Sequence, residues 1–160
     1  MGHPCRAGGR KRSDAAISRL RAYAASARLL RFYLSVPVGY RSGVQSAEEL
    51  EEDQVGYYCS DSSPLDFDVY QWAKDGDTLE KYVIEEARLY EAERVDYRTV
   101  NDILLAFYYS HEEYDSQMYP VVNYIFENDD DLMELVFWLD GEIAVRQADQ
   151  ILSTLHRAES

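Results

Sequence analysis

Residues 126–141, FENDDDLMELVFWLDG, form the most apolar window of the chain, entered through a run of carboxylates. Any fold this chain adopts has to bury it. Leu132, Leu135, Val136 and Leu139 recur at i, i+3, i+4 and i+7, the spacing of one helix face. Met133, Phe137 and Trp138 fill much of the remaining circumference, and a helix apolar nearly all round belongs in an interior. Asp131 with Glu134 three residues on has capping-box spacing, and Gly141 supplies a stop. The expectation is a central core helix with an acidic collar at its entrance.

The same reading continues along the chain. Ser46 with Glu49 predicts a short acidic helix through Asp53. Ser63 and Pro64 precede the stripe Leu65, Val69, Trp72 and Ala73, which ends at Gly76. Asp77 with Glu80 opens a helix with Leu79, Val83, Ala87 and Tyr90 inward. Asp96 or Thr99 caps one carrying Val100, Ile103, Leu104, Phe107 and Tyr108. Ser110 with Glu113 starts another through Tyr114, Met118, Val121, Val122 and Ile125, which Pro120 must kink or split. Ile143, Ala144, Ala148, Ile151 and Leu155 form a terminal stripe. Short connections favour an all-α fold, a compact antiparallel bundle of about five to six helices. The alternative is α+β, with a short strand pair near residues 34–40 and 55–59, the second being the strand-like VGYYC.

Charge divides the chain. Residues 1–44 hold nine Arg or Lys and one acid, Asp14, whereas residues 45–160 hold seven bases and 29 acids. The first part reads as a basic, irregular, Arg/Ala-rich extension: an arm folding back on the body, a targeting segment, or upstream sequence wrongly included. The second reads as one acidic domain, long enough to bury a core. A body so negative repels nucleic-acid phosphate and anionic lipid and attracts basic protein surfaces. No apolar run reaches membrane-spanning length. Cys5 and Cys59 make no zinc or disulfide pattern, which points to a reducing, cytoplasmic setting. Nothing in the sequence specifies an oligomer.

Catalytic and metal motifs are missing from the sequence. The histidines are His3, His111 and His156, and the HEEYD around His111 puts Asp115 where a zinc protease has its second histidine. Asp129, Asp130 and Asp131 lack the spacing and glycine of a calcium loop. No glycine-rich phosphate loop is present. The reading is therefore non-enzymatic, with no metal and no cofactor.

What remains is the acid itself, in four clusters: Glu48, Glu49, Glu51, Glu52 and Asp53; Glu85 and Glu86, with Glu91 and Glu93 beyond; Glu112, Glu113 and Asp115; and Glu127, Asp129 and Asp130. Mid-helix acids far outnumber the basic i+4 partners that would stabilise them, and crowded like charges cost stability. Tyr57, Tyr58, Tyr109, Tyr114 and Tyr119 are candidates to add rigid contact area. The expected function is an acidic protein-binding inhibitor, a DNA mimic occupying the basic nucleic-acid-binding surface of a partner enzyme, as in phage or bacterial defence. One alternative is an immunity or antitoxin-like protein neutralising a basic nuclease toxin. Another is an acidic helical adaptor that binds its partner through an apolar groove.

Overall fold

Strands take up the apolar windows. In the computed structural model, which describes residues 32–43 and 47–157, the elements run β1 (Phe32–Tyr33), β2 (Arg41–Ser42), β3 (Gln54–Cys59), β4 (Asp66–Ala73), α1 (Leu79–Leu89), β5 (Asp96–Val100), β6 (Ile103–Tyr114), β7 (Gln117–Asn128), β8 (Asp131–Trp138), α2 (Glu142–Leu152) and β9 (His156–Arg157). Seven strands form one antiparallel sheet in the order β2-β3-β4-β8-β7-β6-β5, and β1 pairs with β9 in a separate ribbon. One helix covers each face of the sheet. The expected all-α bundle is therefore wrong: the described chain is mostly β, with two α-helices.

The window 126–141 shows why. It is the end of β7, a turn at Asp129 and Asp130, and the central strand β8. Met133, Leu135 and Phe137 point into one core, and Leu132, Val136 and Trp138 point into the other. A strand covered on both faces is apolar at every position, so period-2 alternation disappears. A continuous apolar run also satisfies i, i+3, i+4 and i+7 by default. The valine and aromatic content of LVFW was the better guide. Gly141, expected to end a helix, instead stands at the start of α2 with φ +93°.

The other misplaced helices follow the same rule. Residues 63–76 contain β4, and residues 96–125 contain β5, β6 and most of β7, with Pro120 opposite His111 in the ladder. Residues 47–49 make a 3-10 turn ahead of β3 rather than a helix through Asp53. The α+β alternative placed a strand at 55–59, which lies inside β3. Its proposed partner, 34–40, is not a strand, and β3 pairs with β2 and β4 instead. Turns β5–β6 (Asn101, Asp102) and β6–β7 (Asp115, Ser116) have positive φ at both central residues. That primed geometry matches the twist of a hairpin, and Asn and Asp tolerate it best after glycine.

Helices form where two amphipathic stripes stand alone. Thr78 caps α1, its hydroxyl accepting from the Lys81 N–H at 3.1 Å, while the expected cap, Asp77, forms an ion pair with Lys81 at 3.4 Å. Leu79, Tyr82, Val83 and Ala87 of α1 pack on Tyr70, Trp72, Tyr108 and Val136. On the opposite face, Ala144, Ala148, Ile151 and Leu152 of α2 meet Ile103, Leu105, Leu135 and Phe137.

Phe32 joins this second core, its ring edge-on to Phe126 at 5.1 Å. Residues 32–43, placed by charge in the basic extension, thus belong to the folded body. The reading of the rest of that extension as arm, targeting segment or wrong start lies outside the described residues. Cys59 is buried and disulfide-bonded, so cysteine spacing no longer argues for a reducing compartment. No described helix is long and apolar enough to cross a membrane.

Candidate functional site

Two of the four acidic clusters meet at one end of the sheet. β3 starts there, β4 and β7 end there, and β8 starts there, as fixed by the pairs Gln54↔Tyr70, Ala73↔Asp131 and Asn128↔Asp131. The backbone N–H of Gln71 donates to the Asp53 carbonyl at 2.9 Å, and that of Lys74 donates to the Asp130 carbonyl at 3.1 Å. The Gln71 side-chain amide also donates to the Asp131 carboxylate. These bonds fix Asp53, Asp130 and Asp131 against β4, and residues 48–52 and 127–129 adjoin them along the chain. Asp75 and Asp102 lie in further turns of this end. Glu48, Glu49, Glu52, Asp75, Asp102, Glu127, Asp129 and Asp130 are exposed, and Glu51 and Asp53 are half-buried. Lys74 is the sole base in these turns, and it pairs with Glu127 at 3.6 Å.

Turn chemistry explains part of this acidity. Asp53, Asp75, Asp102 and Asp129 all have φ between +52° and +67°, a left-handed conformation that Asp adopts more readily than most residues. It does not explain Glu48, Glu49, Glu52, Glu127 or Asp130.

The other two clusters lie elsewhere. Glu113 and Asp115 are exposed at the opposite end of the sheet, and Glu85 is exposed on α1. Glu86 and Glu112 are 4% and 8% exposed, so neither is presented to a partner. His111 lies on β6 and Asp115 in the turn after it. Extended backbone spreads four residues over roughly 13 Å, too far for one metal ion. Among the tyrosines proposed for contact, Tyr57 is fully buried and Tyr58 stacks on Phe67. Tyr114 and Tyr119 pack against Trp138, and only Tyr109 is largely exposed.

A buried polar network went unread in the sequence. Asp68, with no exposed surface, accepts from Gln54 Nε2 at 2.8 Å and from Trp138 Nε1 at 2.9 Å. Tyr57 donates to Asp66 Oδ2 at 2.7 Å. Alternation would have shown it: Asp66, Asp68, Tyr70 and Trp72 share one face of β4, with Phe67 and Val69 on the other. The network ties β3, β4 and β8 together.

The second feature is a cleft of about 470 Å³ between α2 and the sheet. Phe107, Val122 and Tyr124 form its floor, and Val145, Arg146 and Asp149 approach from the helix. Arg98 on β5 binds Asp149 across it at 3.0 Å, and Tyr124 lines the same cleft. Burial lowers the Arg98 guanidinium, but its bond to Asp149 and the nearby Tyr124 oxygen outweigh that and hold it above its ordinary value. Burial, and then the neighbouring Tyr109, raise the Tyr124 hydroxyl. No motif marks these residues in the sequence, because β5, β6, β7 and α2 bring them together only in the fold.

No protein family profile matches the chain, and no curated protein does. Among solved structures, a crystal structure from Bacteroides thetaiotaomicron VPI-5482, at 1.50 Å resolution, is similar with a TM-score of 0.59 and 11% sequence identity. The likeness covers 81% of this chain and 46% of that one, so this chain spans less than half the length of that protein. At this identity the likeness is one of fold.

Proposed function

We propose that the chain is a non-enzymatic binding protein whose acidic sheet end engages a basic surface on a protein partner. The carrying observation is the convergence of residues 48–53 and 127–130, remote in sequence, on one hydrogen-bonded frame. Carboxylates gathered at one sheet end complement an arginine- and lysine-lined groove, and opposite charge speeds and orients the encounter. A nucleic-acid-handling enzyme or a nuclease toxin presents such a groove, and inhibition follows if the acidic end occupies it. Turn geometry explains part of the acidity and Lys74 pairs with Glu127, so the reading rests on Glu48, Glu49, Glu52 and Asp130. The test is capture from a lysate by the full chain, with duplex DNA as competitor. The reading expects basic nucleic-acid-binding proteins to be retained and DNA to displace them. Retention of partners that DNA does not displace would refute it.

A further inference from the structure

We propose that the cleft between α2 and strands β5 to β7 binds a small aromatic monocarboxylate, its carboxylate on Arg146 and its ring over Phe107 beside Tyr109. This site is separate from the acidic end and does not rest on the reading of that end. Residues 45–160 hold seven bases against 29 acids, yet two of the seven, Arg98 and Arg146, line one cleft. Arg98 is neutralised by Asp149 at 3.0 Å, leaving one net positive charge on the lining. Arg146 is exposed and has no ion pair among the described residues. A guanidinium presents a planar fork of donors that fits a carboxylate through two parallel bonds.

A single positive charge suits a monoanion better than a phosphate dianion, and the acidic body around it repels polyanions. Size agrees as well: about 470 Å³ lies within the range of clefts that enclose small molecules. Tyr109 and Val145, 56% and 50% exposed, flank the opening with apolar surface that a ring would cover.

The experiment titrates the full chain with phenylacetate, neutral phenylacetamide and phenyl phosphate, followed by amide chemical shifts and calorimetry. Phenylacetate should bind saturably and shift the signals of Arg146 and Tyr109. Phenylacetamide should not bind, and phenyl phosphate should bind more weakly than phenylacetate. Arg146→Gln should weaken phenylacetate by about tenfold or more, the loss expected for one charge-assisted pair, with an unchanged melting temperature. Tyr109→Ala should also weaken it. No saturable binding of phenylacetate would overturn the proposal. So would equal binding of the amide, tighter binding of the phosphate, or an Arg146→Gln variant that binds as well as the parent.

Discussion

The indole Nε1 of Trp138 donates to Asp68 Oδ2 at 2.9 Å, joining β8 to β4 where both side chains are almost wholly buried. Gln54 Nε2 shares the same carboxylate at 2.8 Å, so one side chain fastens three neighbouring strands. Removing it strands two buried donors, each costing about 1–3 kcal/mol. Asp68→Ala should therefore lose about 2–5 kcal/mol in urea denaturation. A loss under about 0.5 kcal/mol, the size of an ordinary surface change, would mean the network holds nothing together.

Leu135 and Leu104 separate a sheet from a helical bundle. Leu135 has no exposed surface, whereas Leu104, read as inward on a helix, is 51% exposed on the strand. Leu135→Ala should cost about 2–5 kcal/mol by opening a cavity, and Leu104→Ala about 0.5 kcal/mol or less. Equal and large losses at both sites would contradict the strand register.

Those two leucines also show what the sequence carried. The stripe of α1, and Ala144, Ala148 and Ile151 of α2, were legible because one face of each helix is wet, leaving real contrast at a 3.6 period, whereas Ile143, read as inward, is 53% exposed and Leu155 lies beyond the helix. The central strands offered no such contrast: helices on both sides of the sheet made 132–138 apolar almost throughout. Glu134 alone breaks the run, and its three-residue spacing from Asp131 imitated a capping box. The hairpin signals, Asn-Asp and Asp-Ser between apolar runs, were present at 101–102 and 115–116 and went unused. The acidic clusters were visible as composition. Which of them share an end depends on strand order, which local pattern does not encode. The cleft was not legible at all, since its lining comes from four elements that meet only through the sheet and α2.

The β5–β6 turn supplies a backbone test. Asp102 has φ +67°, where glycine is unstrained and a β-branched residue is penalised by about 1–2 kcal/mol. Thermal melting should rank Asp102→Gly at or above the parent and Asp102→Val clearly below it. A valine variant as stable as the parent would contradict the primed turn.

Tyr124 predicts an alkaline limb. Burial and then Tyr109 raise its hydroxyl above the ordinary value near 10. A raised pKa means the folded state favours the neutral phenol. That contribution is fully present below the unfolded value, about pH 10, and is lost as pH rises through the folded value. Stability should fall above about pH 10, and Tyr124→Phe should make the fall shallower and remove one late-ionising tyrosine from the ultraviolet titration. An unchanged alkaline slope would show that the phenol ionises as freely in the fold as outside it.

The acidic end is tested most directly by the salt dependence of partner binding. The affinity of the full chain for a captured basic partner would be measured at about 50 mM and about 200 mM salt. The same isotherms would be taken for a variant carrying Glu48→Gln, Glu52→Gln and Asp130→Asn, and for Glu113→Gln at the opposite end. The account predicts an affinity that falls at least about tenfold over that range, nearly vanishes in the triple variant, and is unchanged in Glu113→Gln. Affinity indifferent to salt, or a triple variant that binds like the parent, would contradict it.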